Sequence, residues 1–214
     1  MVKRISLLLG PTIMIFLGIQ IYQNVPLTFI LFYGWLAFFP MIEIMRKTYI
    51  PTLLELKREQ MVVGLMSGLV AFILIFGSAF FLLNHFFEVQ SVKQLLNDWG
   101  FSGHYNWYLV VFLIVLNPIF EEIYWRDYML NKLRVTISMR KVVLITSFFY
   151  CLYHLLTLIP LMNWPLNIFA VIPVFLGGVI WAYFRLKFNS ISTSILSHSL
   201  ADGGIMFVYI IFLN

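Results

Sequence analysis

Apolar residues run along this chain in long blocks, parted by short polar interruptions that hold most of its Lys and Arg. A helix needs about 20 residues, at 1.5 Å rise each, to cross the hydrocarbon core of a bilayer. By that measure the hydropathy pattern predicts seven spans, at 5–22, 25–45, 61–83, 107–130, 142–162, 165–184 and 191–214. The implied fold class is an all-α polytopic membrane protein of seven, at most eight, transmembrane helices. No Gly/Ser linker, charge run or internal repeat divides it, so one integral domain is expected over 1–214. The two residues at 23–24 make the first two spans a tight hairpin. Lys3 and Arg4 ahead of the first block resemble a signal peptide, but "QIYQNVP" offers no small-residue cleavage site, so the segment is read as retained.

The longest polar interruption, "NHFFEVQSVKQLLNDWGFSGHYN" at 84–106, places Phe86, Phe87, Val89, Val92, Leu95 and Leu96 as the apolar face of an interfacial amphipathic helix. In the third span "GLMSG" sets Gly64 and Gly68 one turn apart, a spacing that permits close helix packing.

Composition sharpens the membrane reading. Apolar residues make up 62% and charged residues 11%, against about 45–50% and about 25% in soluble domains. The lone cysteine, Cys151, can form no intrachain disulfide. A pI near 9.4 would direct attention to nucleic acid in a soluble protein. Here, with the N-terminus cytoplasmic, the segments 1–4, 46–60, 131–141 and 185–190 collect twelve of the fourteen basic residues. Only Lys93 falls in an external loop, and Arg126 lies within a span. The basic excess is therefore a positive-inside signature, with no nucleic-acid partner. It places the chain in the cell membrane with the C-terminus external.

An ionisable side chain at mid-membrane costs about 2.5–3.5 kcal/mol on insertion scales, so each one needs a partner or a cavity. The candidates are Glu43, Glu121, Glu122, Arg126, Asp127, His154, His198 and Asp202. Glu43 lies near the end of its span and is expected to pair with Arg46 and Lys47. The other seven fall on the fourth, fifth and seventh spans. Counted from Lys132, Lys141 and Lys187, Glu121 lies about 16 Å deep, His154 about 20 Å, His198 about 16 Å and Asp202 about 22 Å. Four titratable groups from three helices thus share one layer.

Helical spacing sorts them by face. Glu122 and Arg126 form an i, i+4 pair, acid before base, and neutralise each other. Glu121 points about 100° away around an α-helix and lacks that partner. His198 and Asp202 share a face with Ser194, as Tyr150 shares one with His154. A desolvated carboxylate beside a neutral imidazole is a general-base arrangement, so Glu121 and His154 can deprotonate a water. His198 and Asp202 can hydrogen-bond the oxyanion formed when that water attacks an amide. Asp202 would do so only with its proton; ionised, it orients His198. Glu121, His154 and His198 also suit zinc with an open position, although no H-E-x-x-H helix is present. The spacing leaves metal-dependent and metal-free hydrolysis both open. Cys151 is three residues from His154, a spacing open to thiol chemistry, though a free Cys is often a small core residue. Ser194 and Ser197 are read as helix-packing hydroxyls, since no G-x-S-x-G is present.

The three clusters resemble a known family. "EEIYWR" (Glu121, Glu122, Arg126) matches E-E-x-x-x-R, "YCLYH" (Tyr150 to His154) approximates F-x-x-x-H, and "HSLAD" (His198 to Asp202) fits H-x-x-x-[Asn/Asp]. In that order, over 107–214, they resemble the CPBP family of CAAX prenyl endopeptidases and bacteriocin-processing or self-immunity proteins, also called Abi. The resemblance implies an intramembrane endopeptidase in which Glu121 and His154 activate water while His198 and Asp202 stabilise the oxyanion. Glu122, Arg126 and Tyr150 would then be supports. The family is often named as metalloproteases, and a metal-free glutamate mechanism is also described for it. The implied partners are the bilayer and a peptide or protein substrate, prenylated or not. Three positions depart from the pattern: Tyr150 replaces Phe, Asp127 replaces a small residue, and Asp202 replaces the Asn of the prenyl-protease branch. Two other readings use the same residues. One is a non-catalytic immunity or sensor protein that keeps the fold and binds a partner. The other is a proton-coupled transporter, against which stands the absence of repeat symmetry.

Overall fold

The computed structural model describes residues 2–49, 51, 55–86, 89–101 and 106–213. Among these residues it is all helix and loop, without strands. Helix α1 spans Val2–Ile15 and continues as a π-helical stretch, Phe16–Ile21. Helices α2 (Val25–Met45), α3 (Arg58–Phe86) and the short α4 (Val89–Asp98) follow. Helix α5 alternates between two geometries: α over Asn106–Val111, π over Phe112–Leu116, α over Asn117–Glu122, π over Ile123–Met129, and α over Leu130–Arg134. Helices α6 (Met139–Leu158), α7 (Leu166–Phe188) and α8 (Ser192–Val208, then π over Tyr209–Leu213) complete the chain.

Seven of these are long and apolar enough to cross a membrane: Arg4–Ile21, Val25–Met45, Arg58–Leu82, Trp107–Arg134, Met139–Leu158, Leu166–Phe188 and Ser192–Leu213. The chain is an integral membrane protein, and its spans are those the hydropathy pattern predicts. The helix ends differ by a few residues. Helices α3, α5 and α6 run into the charged segments beside them, because helical hydrogen bonding does not stop where apolarity does. Large apolar side chains such as Ile30, Leu74 and Phe81 stand exposed, as the lipid-facing surface of a membrane helix must.

Capping explains two boundaries. Asn24 accepts from the Leu27 amide at 2.9 Å and Pro26 begins the helical turn, so α2 starts there. Asn189, in the left-handed conformation, ends α7 after Arg185 and Lys187 in its last turn.

The chain forms two compact units, Met1–Leu54 with Phe120–Ile191, and Glu55–Ile119 with Ser192–Asn214. In the first, the later part of α5 is the core. Tyr124, Trp125, Arg126, Asp127, Tyr128, Met129 and Leu130 are buried in succession, which requires packing on every side of the helix. The Tyr124 hydroxyl donates to the Leu7 carbonyl at 2.6 Å and accepts from Trp35 Nε1 at 3.0 Å, tying α5 to α1 and α2.

In the second unit α3 packs on α8 through small residues. A Cβ on Gly64 would stand 3.0 Å from the Thr193 carbonyl oxygen, and one on Gly68 2.7 Å from Leu200 Cβ. The expected close packing of "GLMSG" is thus realised, with α8 as the partner. Helix α4 half-buries Val89, Val92, Leu95 and Leu96 and exposes Gln90, Ser91, Gln94, Asn97 and Asp98, as its amphipathic pattern predicts. Of the two phenylalanines assigned to the same apolar face, Phe86 instead ends α3, and Phe87 lies outside the described residues.

Candidate functional site

The proline at 118 explains the first π stretch of α5. It has no N–H to donate back along the helix, and its ring crowds the carbonyl one turn earlier, where Phe112–Leu116 widens. The α-helical segment Asn117–Glu122 that follows carries both glutamates, and the second π stretch begins directly after them. Glu121 and Glu122 therefore sit between two departures from 3.6-residue geometry.

Within the first unit, Glu122 pairs with Arg126 at 3.5 Å, both fully buried. This i, i+4 pair is the expected one, and it closes although the chain between its members enters a π-helix. The Arg126 guanidinium lies over the Tyr150 ring at 4.3 Å and near the Trp181 ring at 5.4 Å, two cation–π contacts in place of further hydrogen bonds. Tyr150 thus packs against Arg126 and also neighbours His154, whose ring is 4.6 Å away.

Glu121 is 2% exposed. Tyr153, which no motif singles out, is buried in the same unit, and its ring lies 4.5 Å from His154. Trp125 stacks on the same ring at 6.2 Å. His154 shares a hydrogen bond between Nδ1 and the Tyr150 carbonyl at 2.9 Å. A carbonyl only accepts, so Nδ1 carries the proton and Nε2 has the basic lone pair. The first unit therefore holds a buried carboxylate and an imidazole whose neutral form has its basic nitrogen at Nε2, a combination suited to accepting protons.

In the second unit His198 is 1% exposed, and its Nε2 stands 3.6 Å from Asp202 Oδ1, the expected i, i+4 pair. The other oxygen, Oδ2, accepts from Asn117 Nδ2 at 3.0 Å. Sequence reasoning missed Asn117. The signal available was an amide in an apolar run, but its partner lies 85 residues away. Ser67 donates to Ser197 at 3.0 Å, so Ser197 is the helix-packing hydroxyl it was expected to be.

One expectation is corrected. Glu43 pairs with Lys132 rather than with Arg46 or Lys47: Lys132 Nζ lies 2.6 Å from both carboxylate oxygens, and the Tyr128 hydroxyl donates at 2.9 Å. Arg46 follows the last turn of α2 and is exposed, whereas α5 packs against the face that Glu43 presents. The Cys151 thiol donates to the Phe148 carbonyl at 3.1 Å and is buried, the small core residue that a free Cys was read as.

Asp127, which departs from the family pattern, is a hub. It takes Arg185 Nη2 and Asn131 Nδ2, each at 3.0 Å, and the Tyr49 hydroxyl. Burial and the bond to Asp127 push the Tyr49 phenol above the ordinary tyrosine range, so the proton stays on the donor.

The zinc set of Glu121, His154 and His198 draws on both units. Among the described residues no group of three or more His, Cys, Asp or Glu side chains is placed to hold a metal ion.

Residues 102–204 match the family model described as type II CAAX prenyl endopeptidase Rce1-like. The matched stretch contains Glu121, Glu122, Arg126, Tyr150, His154, His198 and Asp202. Neither a curated protein nor a solved structure matches the chain.

Proposed function

We propose, from the match of residues 102–204 to the type II CAAX prenyl endopeptidase Rce1-like family model, that this membrane protein hydrolyses a peptide bond with a water activated by Glu121 and His154. The observation that carries the reading is the buried Glu121 carboxylate in the same unit as a His154 ring whose Nδ1 bonds the Tyr150 carbonyl, the tautomer in which Nε2 is the basic nitrogen. Glu121 takes a proton from water, His154 holds that water by hydrogen bonding, and the hydroxide adds to the scissile carbonyl carbon. When the C–N bond breaks, the proton on Glu121 passes to the leaving amine.

His198 stabilises the oxyanion. His198 Nε2 faces Asp202 Oδ1 at 3.6 Å; in the imidazolium form Nδ1 donates to the oxyanion and the Asp202 carboxylate is the counter-ion. Asp202 accepts from Asn117 and orients His198 without donating to the oxyanion itself. Glu122, Arg126 and Tyr150 support the helix that carries Glu121. The substrate is a C-terminal peptide presented at the membrane, with a prenylated cysteine as the first class to try. The steps use these side chains and water alone.

The test is cleavage of C-terminal peptides, with and without a prenyl group, by purified protein in liposomes. Glu121→Gln and His154→Ala are each expected to lower kcat by about 10²–10⁴-fold while the protein still inserts and melts normally. Wild-type rates in both variants would overturn the assignment and leave the partner-binding reading. Activity is expected to survive chelation, with less than stoichiometric metal in the purified protein; loss on chelation and recovery with zinc would replace the metal-free form by a zinc-dependent one.

A further inference from the structure

Asp202 sits one turn after His198 on α8, where its short side chain can rotate toward or away from the imidazole. Helical spacing alone does not hold it on His198. What fixes it comes from α5: Asn117 Nδ2 donates to Asp202 Oδ2 at 3.0 Å, leaving Oδ1 to face His198 Nε2 at 3.6 Å. Each carboxylate oxygen is thereby assigned to a different partner. Asn117 is itself buried, at the junction between the π stretch Phe112–Leu116 and the α-helical segment that Pro118 helps to begin. Helix α8 is held in register beside it by the Ser67–Ser197 bond and the close approach at Gly68.

The chemistry of the donor matters. An amide orients a carboxylate without neutralising it, whereas Lys or Arg at the same place would compete with His198 for its charge. The two ring nitrogens of an imidazole lie on opposite edges, so holding Nε2 on Asp202 also sets where Nδ1 points.

We propose that Asn117 is a positioning residue for the hydrolysis, its amide holding the Asp202 carboxylate in the pose that orients His198. The inference rests on the peptidase reading above, and it adds a residue that the three motifs do not contain. It also gives the Asp at 202 a physical reason: the amide donor stands on α5, and the residue on α8 is the acceptor.

The experiment compares Asn117→Ala and Asn117→Asp in the liposome assay, with kcat referred to folded protein. Asn117→Ala is expected to lower kcat about tenfold to a hundredfold with KM little changed, the scale seen for groups that orient a functional histidine. Asn117→Asp, which sets two carboxylates against each other, is expected to lose more. An unchanged kcat in Asn117→Ala, or an Asn117→Asp rate at or above that of Asn117→Ala, would overturn the proposal. Histidine ¹⁵N resonances of the detergent-solubilised protein supply a readout independent of cleavage. The His198 signals are expected to move in Asn117→Ala while those of His154 stay, and unmoved His198 signals would overturn the proposal even if the protein proves not to be a peptidase. Failure of the peptidase reading alone shows differently, as wild-type rates in Glu121→Gln with His198 still responding to Asn117.

Discussion

Arg126 is the residue on which the site's stability turns. Its guanidinium is 1% exposed, 3.5 Å from Glu122 and stacked over Tyr150. Removing one member of a buried ion pair leaves the other charge uncompensated, which costs about 3–5 kcal/mol. Arg126→Ala is therefore expected to lower the melting temperature sharply or to prevent folding in detergent. Arg126→Lys keeps the charge but loses the planar contact with Tyr150 and Trp181, so an intermediate loss is expected, with kcat per folded molecule preserved. A Lys variant of full stability and greatly reduced kcat would show Arg126 acting in the chemistry instead. Pairs within one helix, Glu122–Arg126 and His198–Asp202, were legible from the sequence because spacing of four residues fixes neighbours on a helix. Glu43–Lys132, Asp127–Arg185 and Asn117–Asp202, at separations of 89, 58 and 85 residues, were not. Their partners depend on which helices pack together, and no local pattern encodes that. Tyr153 was hidden for another reason, since a tyrosine in an apolar run reads as core.

At the scale of the element, α5 is the informative helix. Its hydropathy reads as a single uninterrupted span, yet two π stretches break the 3.6-residue period on either side of the glutamates. The angular argument that separated Glu121 from Glu122 holds within Asn117–Glu122, which is α-helical, and would fail if carried into Ile123–Met129. Proline accounts for the first stretch by local chemistry; the second lies where the large side chains of Tyr124, Trp125 and Tyr128 are all buried. The α3–α8 contact is the other element-scale determinant, because it sets the position of α8 and so of His198 within its unit. A Cβ at residue 68 would stand 2.7 Å from Leu200 Cβ and 2.9 Å from the Ser197 carbonyl oxygen. Gly68→Leu is thus expected to force the helices apart at a cost of about 1–3 kcal/mol. The expected outcome is a lowered melting temperature in detergent and reduced activity per folded molecule, whereas Gly77→Leu, with nothing within 4 Å of its Cβ, stays close to wild type. Equal melting temperatures for both variants would contradict the packing role.

For the whole molecule, the uneven distribution of Lys and Arg makes a topological prediction. In a Cys151→Ser background, a cysteine at position 136, between α5 and α6, is expected to be labelled from the cytoplasmic side. One at position 163, between α6 and α7, is expected to be labelled from the opposite side. Labelling of both from one side would overturn the assigned orientation. What the sequence determined by itself was the number and placement of the spans, the motif residues and the pairs one turn apart. These depend on local quantities: apolar length against bilayer thickness, and helical period. The tertiary structure alone decided that Glu43 answers Lys132, that Asp127 binds Arg185 and Tyr49, and that Asn117 holds Asp202. Each of these joins residues far apart in the chain, and a buried charge takes whichever partner helix packing brings within reach.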